Sequence, residues 1–248
     1  HSALWREVCA QPGARLLMLG TPNGGSHSIT ELLVGSSATL RKLALVDLRH
    51  SQQELLEIIS RFPGVLAMLP VNAREDYFAP KTWRSYHERA GTGWILPRDQ
   101  DLVQARRFRQ LVDRTPLDPA STVYVAGRAD ITLAGMSFNP AARHGEQIQF
   151  MATARGDGRV TWDSGIPAGV PTWYMDAEHG DMPAHPPSYQ AFLQLLQSGT
   201  TNLLSQAAPV SRAAAELFVA PRAIDEIYPN AEELEASALG AGRRRRKA

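Results

Sequence analysis

The chain has 248 residues, enough for one large α/β domain or two small ones, and at 44% hydrophobic and 21% charged it has the balance of an ordinary soluble globular protein. A formal net charge of +1 argues against a general attraction to nucleic acid, leaving the basic run Arg243 to Lys247 as a solvated end. The single cysteine, Cys9, excludes an internal disulfide framework and a cysteine-built zinc site and accords with a cytoplasmic setting, and no apolar stretch approaches the roughly 18 residues of a bilayer-spanning helix.

In chain order, "ARLLMLGTPNGG" joins an apolar run at Leu16 to Leu19 to a Gly- and Pro-broken segment, which predicts a buried strand entering a loop. From Thr30 to about Val112 the pattern is helical. Ser51 and Glu54 have capping-box spacing, and Leu55, Leu56, Ile58, Ile59 and Phe62 share one face before Pro63-Gly64. A second helix is expected after Asp99, with Leu102, Ala105, Phe108, Leu111 and Val112 as its apolar stripe. Between them Tyr77, Phe78, Trp83, Tyr86 and Trp94 read as an irregular aromatic piece that packs the interior or lines a pocket.

Strand signals return at "STVYVAG" (121–127) and again at 148–153 and 171–175. A final helix is expected in "PPSYQAFLQLLQSG", with Phe192, Leu195 and Leu196 on one face and Gly199 at its end. From 207 to 248 the periodicity fades, as in a linker or tail toward another domain.

Two of the strands end in polar turns. "IQFMATA" runs into Gly-Asp-Gly around Asp157, and "PTWYMDA" runs into Glu-His-Gly around His179. Asp-Gly is a common turn dipeptide, and a lone His is often a hydrogen-bonded surface residue. The pair also has the makings of acid-base chemistry, since a carboxylate can fix an imidazole's tautomer and stabilise its cation. Asp163 and His185 are the alternatives for the two roles. Gly20 and Gly25 have phosphate-loop spacing, but Ser26 stands where that motif needs Lys. Ser26 and Ser28 are candidate nucleophiles that read more naturally as loop-shaping residues.

Taken together, "LLMLGTPNGGS", the helical insertion, "GDGRVTW" and "DAEHGDM" resemble the serine α/β-hydrolases of the lipase and lecithin:cholesterol acyltransferase-like group. The resemblance implies an α/β fold with a mostly parallel sheet and a helical cap at about 30–115, covering the C-terminal part of such a domain over residues 1–206. It implies carboxylic ester hydrolysis with Asp157 as the orienting acid and His179 as the base, a hydrophobic ester substrate, and no metal or organic cofactor. Asp157 before His179 fits the chain order of that fold, two adjacent parallel strands being expected to bring them to one sheet edge. The G-x-S-x-G elbow that would carry the nucleophile does not occur in the sequence.

Ser2, after His1, is the one serine in a partial elbow context, and Gly20, only eighteen positions further on, leaves little room for a helix and a strand. The chain does not begin with Met, and the expectation is a severed N-terminal half that supplies the serine. Without that half, the "LLMLG" strand would expose an apolar edge prone to self-association. The competing expectation is a non-catalytic hydrolase-like module that binds a partner or serves as a scaffold in a multidomain protein.

Overall fold

A computed structural model of the protein describes residues 2–47, 49–71, 73–90, 94–115, 117–143, 146–210 and 217–219. The chain opens with helix α1 (Ser2–Cys9) and strand β1 (Leu16–Leu19). Helices α2 (His27–Leu33), α3 (Ala38–Val46), α4 (Gln52–Ile59), α5 (Pro63–Ala67), α6 (Pro80–Ala90) and α7 (Asp99–Asp113) follow. Then come β2 (Thr122–Ala126), β3 (Thr132–Phe138), β4 (Ile148–Thr153), the short α8 (Trp162–Gly165), β5 (Thr172–Tyr174), α9 (Tyr189–Ser198) and β6 (Leu217–Val219). The fold is mixed α/β.

The strands divide into two three-stranded sheets. β1, β2 and β5 form a parallel sheet with β2 at its centre. β3, β4 and β6 form an antiparallel sheet with β4 at its centre. β2 reads as a continuous buried run because both of its faces are covered. Val123 and Val125 pack with Trp173, Met175, Met182, Phe192 and Leu195 on one side, while Tyr124 and Ala126 pack with Trp162 and Val170 on the other. The outer edge of β1 pairs with no strand among the described residues, and its four side chains are only half-buried.

The helical insertion has its own core. Leu33, Leu40, Leu56, Leu66, Trp83 and Leu102 of the helices join Leu133, Met136 and Phe150 of the antiparallel sheet in one cluster. The insertion is thus a layer of helices laid on a sheet that the resemblance did not lead one to expect. Ser51 and Glu54 form the expected capping box, and Gly199 ends α9 in the left-handed conformation at φ 77°.

Several expectations need correction. The aromatic segment is not irregular throughout. Within it α6 forms by burying Thr82, Trp83, Tyr86 and Ala90, while Trp83 Nε1 donates to the Tyr77 carbonyl at 2.7 Å. Trp83 and Trp94 are both buried, with ring centroids 6.2 Å apart, so they pack the core of the helical insertion. β3 had no expected counterpart; its Gly135 sits at a register shift against β4, which breaks the alternation by which a strand is recognised. Only part of each helical stripe is buried. Leu102 and Ala105 of α7 are inside while Phe108, Leu111 and Val112 are exposed, and in α9 Leu196 is exposed beside buried Phe192 and Leu195.

The stretch from Ser2 to Leu19 does accommodate a helix and a strand. Ser2 opens the backbone of α1, and its side chain lies outside the described residues. Within the stretch read as a linker from 207, Leu217–Val219 pairs with β4, and the basic run Arg243 to Lys247 lies outside the described residues. No helix among the described residues is long and apolar enough to cross a membrane.

Candidate active site

The site forms where both sheets deliver loops to one place. His179 follows β5 of the parallel sheet by five residues. Asp157, contrary to the expectation of two neighbouring parallel strands, follows β4 of the antiparallel sheet. The antiparallel β3–β4 hairpin carries the chain out from β2 and back, so the acid returns over the carboxyl end of the parallel sheet. The returning turn is stitched down by Ala129 N–H to the Gly156 carbonyl at 2.8 Å, and by Gly158 N–H to the Thr132 hydroxyl at 2.9 Å.

His179 Nδ1 lies 2.9 Å from Asp157 Oδ2. The Asp157 backbone carbonyl also accepts from the His179 N–H at 2.8 Å, which locks the two turns together. Asp157 is 2% exposed. Its other oxygen, Oδ1, accepts from the backbone N–H groups of Arg159 at 3.0 Å and Val160 at 2.7 Å. Every polar atom of the carboxylate is therefore engaged, and three donors fix its plane. The ring of His179 keeps about a third of its surface open to solvent. With Nδ1 donating to the carboxylate, Nε2 is the ring nitrogen left to exchange a proton.

Glycines make the meeting of these turns possible. Gly20, immediately after β1, has φ +55°, and a Cβ there would stand 2.7 Å from Asp157 Oδ2 and 3.0 Å from His179 Nδ1. At Gly127, immediately after β2, a Cβ would stand 2.6 Å from the Ala177 carbonyl and 2.9 Å from Asp157 Cβ. Trp162 Nε1 donates to the Gly127 carbonyl at 2.9 Å, and buried Met182 fills the space below both glycines. Gly20→Ala is expected to separate the Asp157–His179 pair and to destabilise the fold by at least the roughly 1–2 kcal/mol of a left-handed alanine. Denaturant unfolding reads the second effect, and loss of the hydrogen-bonded His179 Nδ1 proton signal in NMR reads the first; retention of that signal would clear Gly20 of this role.

The "GTPNGGS" segment wraps the acid turn. Tyr124 donates its hydroxyl to the Thr21 carbonyl at 3.1 Å. Burial, reinforced by the charge of Asp157, pushes that phenol well above its ordinary pKa, so it stays a donor. The Ser26 hydroxyl donates to the Arg159 carbonyl, and the Ser28 hydroxyl to the same oxygen at 3.3 Å. Both serines hold the acid turn, which is the loop-shaping reading.

The alternative acid and base are placed elsewhere. Asp163 lies in the first turn of α8, largely exposed and 3.8 Å from Arg155 Nη2. His185 Nδ1 pairs with the Ser188 hydroxyl at 2.8 Å. Beside the His179 turn is a hollow of about 490 Å³ whose wall includes Arg128, Asp130, Asp176, Glu178, Asp181 and His185. That wall is mostly polar and charged. The residues that sequence reasoning passed over are Gly127 and Met182; a glycine closing "STVYVAG" was visible, but its neighbours are set by tertiary contacts alone.

No protein-family model matches the chain, and no curated protein matches it.

Proposed function

We propose that the chain is the C-terminal part of a serine α/β-hydrolase-type domain that cleaves carboxylic esters, with His179 as general base and acid and Asp157 as its orienting carboxylate. The single observation that carries this reading is the 2.9 Å bond between a half-buried imidazole and a buried, fully hydrogen-bonded carboxylate. The location of that pair, beyond the carboxyl ends of parallel strands, supports it.

In this reading the nucleophile is a serine contributed from outside the chain. His179 Nε2 takes the serine proton as the hydroxyl oxygen attacks the ester carbonyl, and returns it to the departing alkoxide, which leaves as the alcohol. Water then repeats the sequence on the acyl-enzyme and regenerates the serine. The half-buried edge of β1, unpaired among the described residues, is where the remainder of the domain, or a second copy of this chain, would add a strand.

The test is hydrolysis of short- and long-chain p-nitrophenyl esters by the isolated chain and by the full-length protein. Turnover is expected only from the full-length protein and is expected to be lost in His179→Ala. Undiminished turnover in His179→Ala would end the proposal. An inactive full-length protein with a non-nucleophilic residue at the elbow would replace it with the binding-module reading.

A further inference from the structure

The outer edge of β1 is built like the inside of a sheet. The Leu16 and Gly20 N–H groups donate toward β2, to the Ser121 carbonyl at 2.8 Å and the Val125 carbonyl at 2.9 Å. Strand alternation therefore turns the N–H and C=O groups of Leu17 and Leu19 outward, where no strand among the described residues takes them up. Leu17 and Leu19 pack on the α9 side of the sheet and Met18 on the side of Tyr124 and Trp162, so the strand is apolar on both faces. The usual defences of an edge are missing from "LLML", which has no charge, no proline and no bulge.

One flank of α9 continues this surface. The helix is buried through Ala191, Phe192 and Leu195. On one flank Gln194 accepts from the Thr201 hydroxyl, and from Thr201 the chain crosses to β5: Trp173 Nε1 donates to the Thr201 carbonyl at 3.2 Å and Tyr174 N–H to the Ser205 carbonyl at 2.8 Å. That flank faces β5. Tyr189, Leu193 and Leu196 share the opposite flank at helical spacing, toward β1, and are 46%, 51% and 42% exposed. At the end of α9, a Cβ on Gly199 would meet the guanidinium of Arg15, the residue that leads into β1.

Charge decides what covers this surface. Residues 182–211 contain no Asp, Glu, Lys or Arg, in a chain that is 21% charged. The helix flank and the strand edge thus offer nothing for a charged partner to match. In a two-fold contact each residue near the axis faces its own copy, so any charge there would meet its like. A charge-free helix beside a charge-free strand meets that condition.

We infer that β1 and α9 form a two-fold interface with a second copy of this chain. Two-fold symmetry makes the two β1 strands antiparallel. The register that takes up all the outward groups pairs Leu17 of each copy with Leu19 of the other and sets the two Met18 residues opposite each other on the axis. With strands about 4.8 Å apart, helices lying over β1 and β2 in each copy come about 10 Å apart, the spacing of packed helices, and bring Leu193 and Leu196 together across the axis. The interface stands whether or not the Asp157–His179 pair is catalytic.

Sedimentation velocity of the whole chain from about 1 to 100 µM is expected to show a monomer–dimer equilibrium with a Kd of about 10 µM, in keeping with a small interface. The double variant Leu193→Lys, Leu196→Lys, at two exposed positions, is expected to keep its unfolding transition and to weaken the dimer at least about tenfold. The register is tested by disulfide trapping with Cys9, the one native cysteine, replaced by Ser. Met18→Cys is expected to oxidise to a covalent dimer, because a directly opposed pair has Cα atoms about 4.5 Å apart, whereas Leu17→Cys, opposite Leu19 and beyond about 7 Å from its own copy, is expected to stay uncrosslinked. A chain that remains monomeric at 100 µM would overturn the inference and leave the edge to a strand from the remainder of the domain. Undefined aggregates without a dimer, an unweakened double variant, or trapping at Leu17 as efficient as at Met18 would overturn it equally.

Discussion

Asp157→Asn is expected to lower ester turnover by about 10⁴-fold in the protein that contributes the serine, the loss associated with reversing the tautomer of a Ser-His-Asp set. The direction follows from the hydrogen bonds around the side chain. Oδ1 accepts from two backbone N–H groups, of Arg159 and Val160, so the amide oxygen of Asn must occupy that position. Its NH₂ then takes the place of Oδ2 and points at His179 Nδ1. An NH₂ group only donates, so Nδ1 must become the acceptor and the ring proton moves to Nε2. Nε2 can then no longer accept the serine proton. Because the substitution is nearly isosteric and keeps both backbone contacts, substrate affinity and the unfolding transition are expected to change little. Steady-state kinetics on p-nitrophenyl esters measures the loss, and a reduction smaller than about tenfold would remove Asp157 from the mechanism.

The extent to which this pair was visible in the sequence depends on which part of its geometry is considered. The two residues stand in Gly-flanked turns after apolar runs, a local pattern that identified Asp157 and His179 ahead of Asp163 and His185. What that pattern could not supply was the route of the chain. β4 has the same apolar character as a parallel core strand because Phe150, Met151 and Ala152 are buried, and burial alone does not distinguish its antiparallel pairing with β3. β3 itself was hidden by Gly135 at the register shift.

The helical insertion shows the same division. The α4 capping box is a local interaction between residues three apart and was legible. The burial of Leu102 but not Leu111 on the same helix depends on where α5 lies, which no window of sequence around α7 contains. The role of Gly20 lies between these cases. The loop "GTPNGG" predicted a turn, whereas the need for a residue without Cβ comes from Asp157, over a hundred positions away in the chain.

Glu31→Gln is expected to stabilise the protein by about 3 kcal/mol more at pH 8 than at pH 4.5. Glu31 is fully buried in α2, and neither carboxylate oxygen has a hydrogen-bond partner among the described residues. Loss of hydration therefore dominates, raising its pKa from 4.5 to about 7, with the positive charges of Arg159 and Arg41 opposing. A carboxyl whose folded pKa exceeds its unfolded value takes up a proton on folding at intermediate pH. Its contribution to stability is fully present below about 4.5 and is lost as pH rises through about 7. A difference of about 2.5 pH units corresponds to about 3 kcal/mol. His27, one turn earlier, has the opposite sign: burial lowers its pKa from 6.5 to about 4, so its contribution is present above 6.5 and is lost as pH falls toward 4. Between about 4.5 and 6.5 the two slopes largely cancel in the native sequence. With Gln at position 31 only the His27 slope remains, and stability should climb with pH through that interval. Gln resembles the protonated acid in shape, so any constant packing difference drops out of the comparison between pH values. Urea unfolding of both proteins at half-unit steps from pH 4.5 to 8 measures the difference curve; a curve that stays flat across that range would mean that Glu31 ionises in contact with water or a partner and carries no such penalty.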